Sequence, residues 1–210
     1  MIEYYDNDVI SYIDNTILLN PFFEEWFEIV ENILLNDEFQ KRKIFPHHHN
    51  MTVWDHSVLV SFKSFLLAKQ VKADERICAI AGLLHDFYPW SWINTKELEE
   101  FEDGKYLEEN KRKKKFFELH GFTHGKAASI NYVKFFPELE NKKITNSIKH
   151  HMFPLTIVPP RYKEGFIITT VDKINSVHEM PSPIYIKDKI KKEFFTKRMF
   201  NKIIKQVKSL

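Results

Sequence analysis

The residues of this 210-residue chain that could do chemistry are histidines and aspartates set among apolar neighbours. His56 lies in "VWDHSVLVSF", and His85 and Asp86 end "AIAGLLHDF". His120 and His124 lie in "HGFTHGKAA", His150 and His151 in "IKHHMF", and Asp172 in "GFIITTVDKI". An ionised group taken out of water without a partner neutralises or costs heavily, so buried ones are paired or bound to metal. A His-Asp dipeptide alone arises by chance, His56 alone reads as a helix-face residue, and Asp172 alone as the partner of a cation. The ordered set His, His-Asp, His, His, Asp, each on its own segment, is harder to obtain by chance. Imidazole with carboxylate suits Mn, Fe, Ni, Zn or Mg rather than a thiolate-loving ion. An aspartate shared by two ions would also place a bridging water where it becomes a strong nucleophile.

The elements that must position these groups read as helices. Residues 22–35 repeat apolar positions at Phe23, Trp26, Phe27, Val30, Ile33 and Leu34, the spacing of an amphipathic helix. "KRKIFPHHHNMT" breaks the pattern and reads as a loop. A helix is expected over Val53–Val71, with Val58, Phe62, Phe65 and Leu66 on one face. "DERICAIAGLLHDF" opens with Asp74 and Glu75, as helix starts prefer, and its apolar residues surround the axis, which predicts a central buried helix. "THGKAASINYVKFF" predicts a helix capped by Thr123. "ENKKITNSIKHHMF" predicts one ended by Pro154, and "PPRYKEGFIITTVDKINSV" a further one. Residues 96–119 are charged and have no clear period. A basic terminal helix is expected over 184–208, and N-terminal helices over 9–40. The reading is all-α, a single domain spanning 1–210.

Composition sets the class. Only five glycines leave few tight-turn positions, which favours helices over short strands. A formal net charge of +2 provides no overall steering toward nucleic acid or anionic membrane. With Cys78 as the only cysteine no internal disulfide can form, and a reducing compartment fits. "MIEYYDND" lacks the apolar stretch of a signal peptide, and no apolar run approaches the roughly 20 residues that span a bilayer. A cytoplasmic protein without a membrane partner is expected.

The motif order resembles the HD-domain superfamily of metal-dependent phosphohydrolases, over about residues 47–178. It looks most similar to small bacterial members with patterns matching "HHHNMTVWDHS", "AGLLHDF", "HGFTHGKAA", "KHHMFPLTIVPPRYKEGF" and "VDK". The resemblance implies an HD-fold helical bundle with a metal site at its centre and one or two divalent ions (Mn, Ni, Fe, Zn or Mg). His56, His85, Asp86 and Asp172 would hold the first ion, and His124 and His151 a second, with Asp86 bridging. His120 competes with His124, and His150 with His151; the pattern favours His124 and His151. After His85–Asp86 the chain has Phe87, Tyr88 and Pro89 rather than Ile-Gly, and it lacks the Gly-Tyr-Pro signature of cyclic-di-GMP phosphodiesterases.

The implied activity is hydrolysis of a phosphate ester, of a nucleotide or a phosphorylated metabolite, by a metal-bound hydroxide held at Asp86, the catalytic residue. His48 aligns best with the family's histidine in "PHHHN" and could reach a metal or a phosphate. Arg161, Lys163 and Lys173 are candidate phosphate ligands, since such a reaction needs cations beside its metals. Tyr88, Trp90 and Trp92 could wall a substrate pocket, though packing is the simpler role. "KRKKK" at 111–115 and the Lys-rich terminal helix read as solvated faces, so nucleic acid is not the expected partner. Two alternatives use similar ligands: an HD-type di-iron oxygenase, and a non-catalytic metal or nucleotide sensor. The oligomeric state is left open.

Overall fold

The computed structural model describes residues 12–47, 51–107 and 118–179. The described residues are helical apart from turns and two isolated bridges, Pro46–Thr52 (antiparallel) and Ser91–Leu107 (parallel). In chain order the helices are α1 (Asn15–Leu18), α2 (Phe23–Leu34), α3 (Asp37–Gln40), α4 (Val53–Val71), α5 (Glu75–Leu84), α6 (Lys96–Glu100), α7 (His120–Phe135), α8 (Lys142–His150) and α9 (Lys163–Glu179). None of them is long and apolar enough to cross a membrane.

The centre is α5. Asp74 caps it, its carboxylate accepting from the Ile77 N–H at 3.0 Å, and every residue from Ile77 to Leu84 is buried. Helices α2, α4, α7, α8 and α9 all pack on it, so apolar residues are needed right round its axis. Contact with α4 is close because residue 82 is glycine: a Cβ there would lie 2.9 Å from Ser61 Cα. Ser61 accepts from Trp26 Nε1 (2.9 Å) and donates to the Ala79 carbonyl (2.7 Å), tying α2, α4 and α5 together. A smaller apolar cluster of Phe45, Val53, Tyr88, Leu98 and Tyr106 underlies the connection between α5 and α7.

Several expectations shift. Helix α4 is buried on most sides rather than one, with Trp54, Val60 and Leu67 inside and Leu66 only half-buried, because α2, α5 and α9 cover it. "KRKI" is a 3-10 turn, Lys41–Ile44, instead of plain loop. Thr123 does not cap α7. The helix starts four residues earlier, after Leu119, and the Thr123 hydroxyl donates back within the first turn. Helix α8 ends at His150, before Pro154, and the Phe153–Pro154 peptide is cis. Part of the ambiguous stretch forms α6 and a 3-10 turn, Phe101–Gly104. The terminal helix expected over 184–208, "KRKKK", His48 and residues 9–11 lie outside the described residues.

Candidate metal centre

Five separate segments deliver imidazole and carboxylate groups to one buried point. His56 sits in the second turn of α4, whose start is held by a reciprocal cap between Thr52 and Asp55. His85 follows the last residue of α5 and Asp86 comes next, both buried. The close approach at Gly82 brings the rings of His56 and His85 to 5.2 Å between centroids. Helices α7 and α8 approach at Gly125, where a Cβ would lie 3.0 Å from the Lys149 carbonyl and 3.3 Å from His151 Cε1. That brings His124 Nε2 within 2.9 Å of His151 Nε2. Asp172, on α9, places Oδ1 3.2 Å from His56 Nε2 and 3.7 Å from His85 Nε2.

Asp86 lies between the two halves. Its Oδ2 is 3.6 Å from His85 Nε2, and its Oδ1 is 3.3 Å from His124 Nε2 and 3.7 Å from His151 Nε2. One residue joins the set that the motif pattern did not single out. His47 Nε2 is 3.6 Å from Asp86 Oδ2, and its ring stacks on His56 at 4.1 Å and 19°. The bridge at Pro46–Thr52, with His47 N–H donating to the Met51 carbonyl at 3.0 Å, places that side chain. The signal was present in "PHHHN", and the bridge places His47 of that run at the cluster.

Hydrogen bonding assigns the tautomers. The Nδ1–H of His85, His124 and His151 donates to the carbonyls of Gly82 (2.8 Å), His120 (2.8 Å) and Ile148 (2.7 Å). A carbonyl cannot donate, so each Nδ1 carries a proton, and in the neutral ring each Nε2 offers a lone pair toward the centre. Burial, with His124 and His85 nearby, pushes the His151 pKa down to about 3, which keeps that imidazole neutral. Burial also opposes charge on His85, yet Asp86, Asp172 and the Gly82 carbonyl outweigh it and its pKa is raised. Burial would raise the Asp86 carboxyl, but His85, His124 and His47 hold it well below the usual range. Asp172 is depressed in the same way, with His56 and His85 overcoming burial. Ionised carboxylates thus face imidazole Nε2 atoms.

This donor set fits a divalent cation. Ligand atoms about 2.0–2.2 Å from one ion lie about 3.0–3.6 Å from one another. The distances above bracket that range, from 2.9 to 3.7 Å. His85 Nε2 is buried and makes no hydrogen bond among the described residues, its carboxylate neighbours lying too far away for one. Three overlapping groups each keep their donor atoms within 4.8 Å: His47 with His56 and Asp86; His56 with His85 and Asp172; His85 with Asp86 and His151.

The remaining candidates are placed differently. His120 lines the adjoining cavity, its carbonyl orienting His124 and its ring stacked between Trp92 (5.2 Å) and His124 (4.6 Å). It belongs to none of the three groups. His150 is half-exposed and does not line the cavity, because adjacent helical residues point about 100° apart. Arg161 is exposed, its backbone N–H donating to Asn146, and neither it nor Lys163 lines the cavity. Lys173 does. Its ammonium donates to the His151 carbonyl at 3.0 Å, and burial lowers its pKa against the pull of Asp172.

The cavity holds about 320 Å³ and is walled by Tyr88, Trp92 and Met152, with Asp86, Asp172 and Lys173 as its charged groups. Comparisons with protein-family models, curated proteins and solved structures found no match for this chain.

Proposed function

We propose that the protein is a metal-dependent phosphohydrolase of the HD type, acting on a phosphate ester of a nucleotide or a phosphorylated metabolite. The observation that carries this reading is Asp86: its two oxygens face different imidazoles, His85 and His47 on one side, His124 and His151 on the other. A carboxylate so shared suits a pair of ions. His56, His85, Asp86 and Asp172 would hold one, and His124, His151 and Asp86 the other. Divalent ions bound there supply Lewis acidity and lower the pKa of coordinated water.

The chain's own residues do the rest. The carbonyls of Gly82, His120 and Ile148 keep the imidazoles in the ligating tautomer. Lys173, tied to the His151 carbonyl, offers a cation to phosphoryl oxygens beside the cluster. Tyr88, Trp92 and Met152 wall the cavity where the organic part of the ester would sit.

The test is the metal content of protein purified without chelator or a metal-affinity step, for wild type and Asp86→Ala, followed by a screen of phosphate esters. One or two ions per chain, largely lost in the variant, with release of phosphate by the wild type, support the reading. A wild-type chain that stays metal-free after soaking in each ion would sink it. Excess iron with oxygen-dependent turnover would replace it with the oxygenase, and binding without turnover with the sensor.

A further inference from the structure

Arg42 lies in the 3-10 turn Lys41–Ile44 and has no exposed surface. Its guanidinium carbon is 4.5 Å from the centre of the Phe45 ring and 4.6 Å from that of Phe87, so the cation rests against two aromatic rings. One nitrogen donates to Glu38 Oε1 at 3.3 Å, while Nε and Nη1 are buried without a hydrogen-bond partner among the described residues. Packing alone does not account for this. An apolar side chain of similar volume would fill the space without stranding two donors, and such replacements of buried charges are often neutral or stabilising.

The two rings share something else: each is next to a residue of the cluster. Phe45 precedes His47 by two positions, and its carbonyl accepts from the Val53 N–H (2.8 Å) beside the Pro46–Thr52 bridge. Phe87 directly follows Asp86, and its carbonyl accepts from Asn131 Nδ2 on α7 at 2.9 Å. Arg42 therefore touches both segments whose side chains meet at 3.6 Å as His47 Nε2 and Asp86 Oδ2.

We propose that Arg42 is a positioning residue for the metal centre: anchored by Glu38, it binds Phe45 and Phe87 together and so sets the approach of His47 to Asp86. The inference rests on reading the cluster as a metal site. Groups that orient ligands from behind typically contribute about 10–100-fold to metal affinity.

The experiment titrates chelator-stripped full-length protein with Mn²⁺ and with Zn²⁺ by calorimetry and records Tm for each variant. In Arg42→Met, Tm stays level or rises while affinity falls by about 10–100-fold. Phe45→Leu keeps the charge, removes one ring and weakens binding in the same direction, so the test survives if Arg42→Met does not fold. In the double variant with His47→Ala the losses are less than multiplicative, because both act on one contact. Wild-type affinity in Arg42→Met or Phe45→Leu overturns the proposal and leaves Arg42 a packing residue. No ion uptake by the wild type removes the metal reading itself, and this inference with it.

Discussion

His124 and His151 point their Nε2 atoms at one another across 2.9 Å, and each ring donates its Nδ1–H to a backbone carbonyl. Two ring nitrogens at that separation need a proton or a metal ion between them, so the arrangement suits a cation. A third imidazole, His85, has its Nε2 buried beside them without a hydrogen bond among the described residues.

Removing metal should therefore destabilise the fold. An ion present at about a thousand times its Kd stabilises by about 4 kcal/mol, which for a chain of this size is about 10 °C in Tm. Calorimetry with a chelator and with excess Mn²⁺ or Zn²⁺ measures the difference. Identical melting curves in the two conditions would refute the prediction.

Gly125→Ala separates helix propensity from packing. Alanine gains up to about 1 kcal/mol as a helix former. Its Cβ, however, would lie 3.0 Å from the Lys149 carbonyl and 3.1 Å from that of Ile148, which are backbone atoms that cannot turn aside. Overpacking costs about 1–3 kcal/mol, so the variant is expected to lose up to about 2 kcal/mol and to weaken metal binding by parting His124 from His151. Urea midpoints and a metal titration decide it; wild-type values in both would be the contrary result.

Acid should weaken the metal-free protein through His151. Its folded pKa of about 3 lies below the ordinary 6.5, so below pH 6.5 the unfolded chain takes up a proton that the folded chain refuses. Stability from this group is thus complete above 6.5 and is lost as pH falls toward 3, at up to about 1.4 kcal/mol per pH unit. His85, with a raised pKa, works oppositely: its contribution is present at low pH and lost as pH rises through the folded value. His151→Asn can keep a donor to the Ile148 carbonyl while losing the titrating ring. Its urea midpoint should depend less on pH between 6.5 and 4.5 than that of the wild type, both in chelator. A dependence as steep as the wild type's counts against His151.

Lys173→Met tests the anion role. The side chain keeps its length and loses its charge beside the cluster. Hydrogen bonds to charged groups contribute about 1.5–3 kcal/mol, so binding of inorganic phosphate to the metal-loaded protein should weaken by at least about tenfold. Unchanged binding would assign Lys173 only to its bond with the His151 carbonyl.

What the sequence by itself determined about this protein was local. The 3.6-residue period marked α2, the all-round apolarity of "RICAIAGLL" marked α5 as central, and residue types nominated the ligands, because these properties follow from neighbours along the chain. Tertiary structure decided what depends on distant partners. It turned His151 inward and left His150 half-exposed, made His120 a backing ring beside His124, and brought in His47 beside the Pro46–Thr52 bridge. It kept Lys173 at the cavity and set Arg161 outside it. It also buried Arg42, in a stretch that reads as a loop, against Phe45 and Phe87. The physical reason is that helical phase follows from local spacing, whereas a ligand atom's direction depends on where two helices cross, here at Gly82 and Gly125.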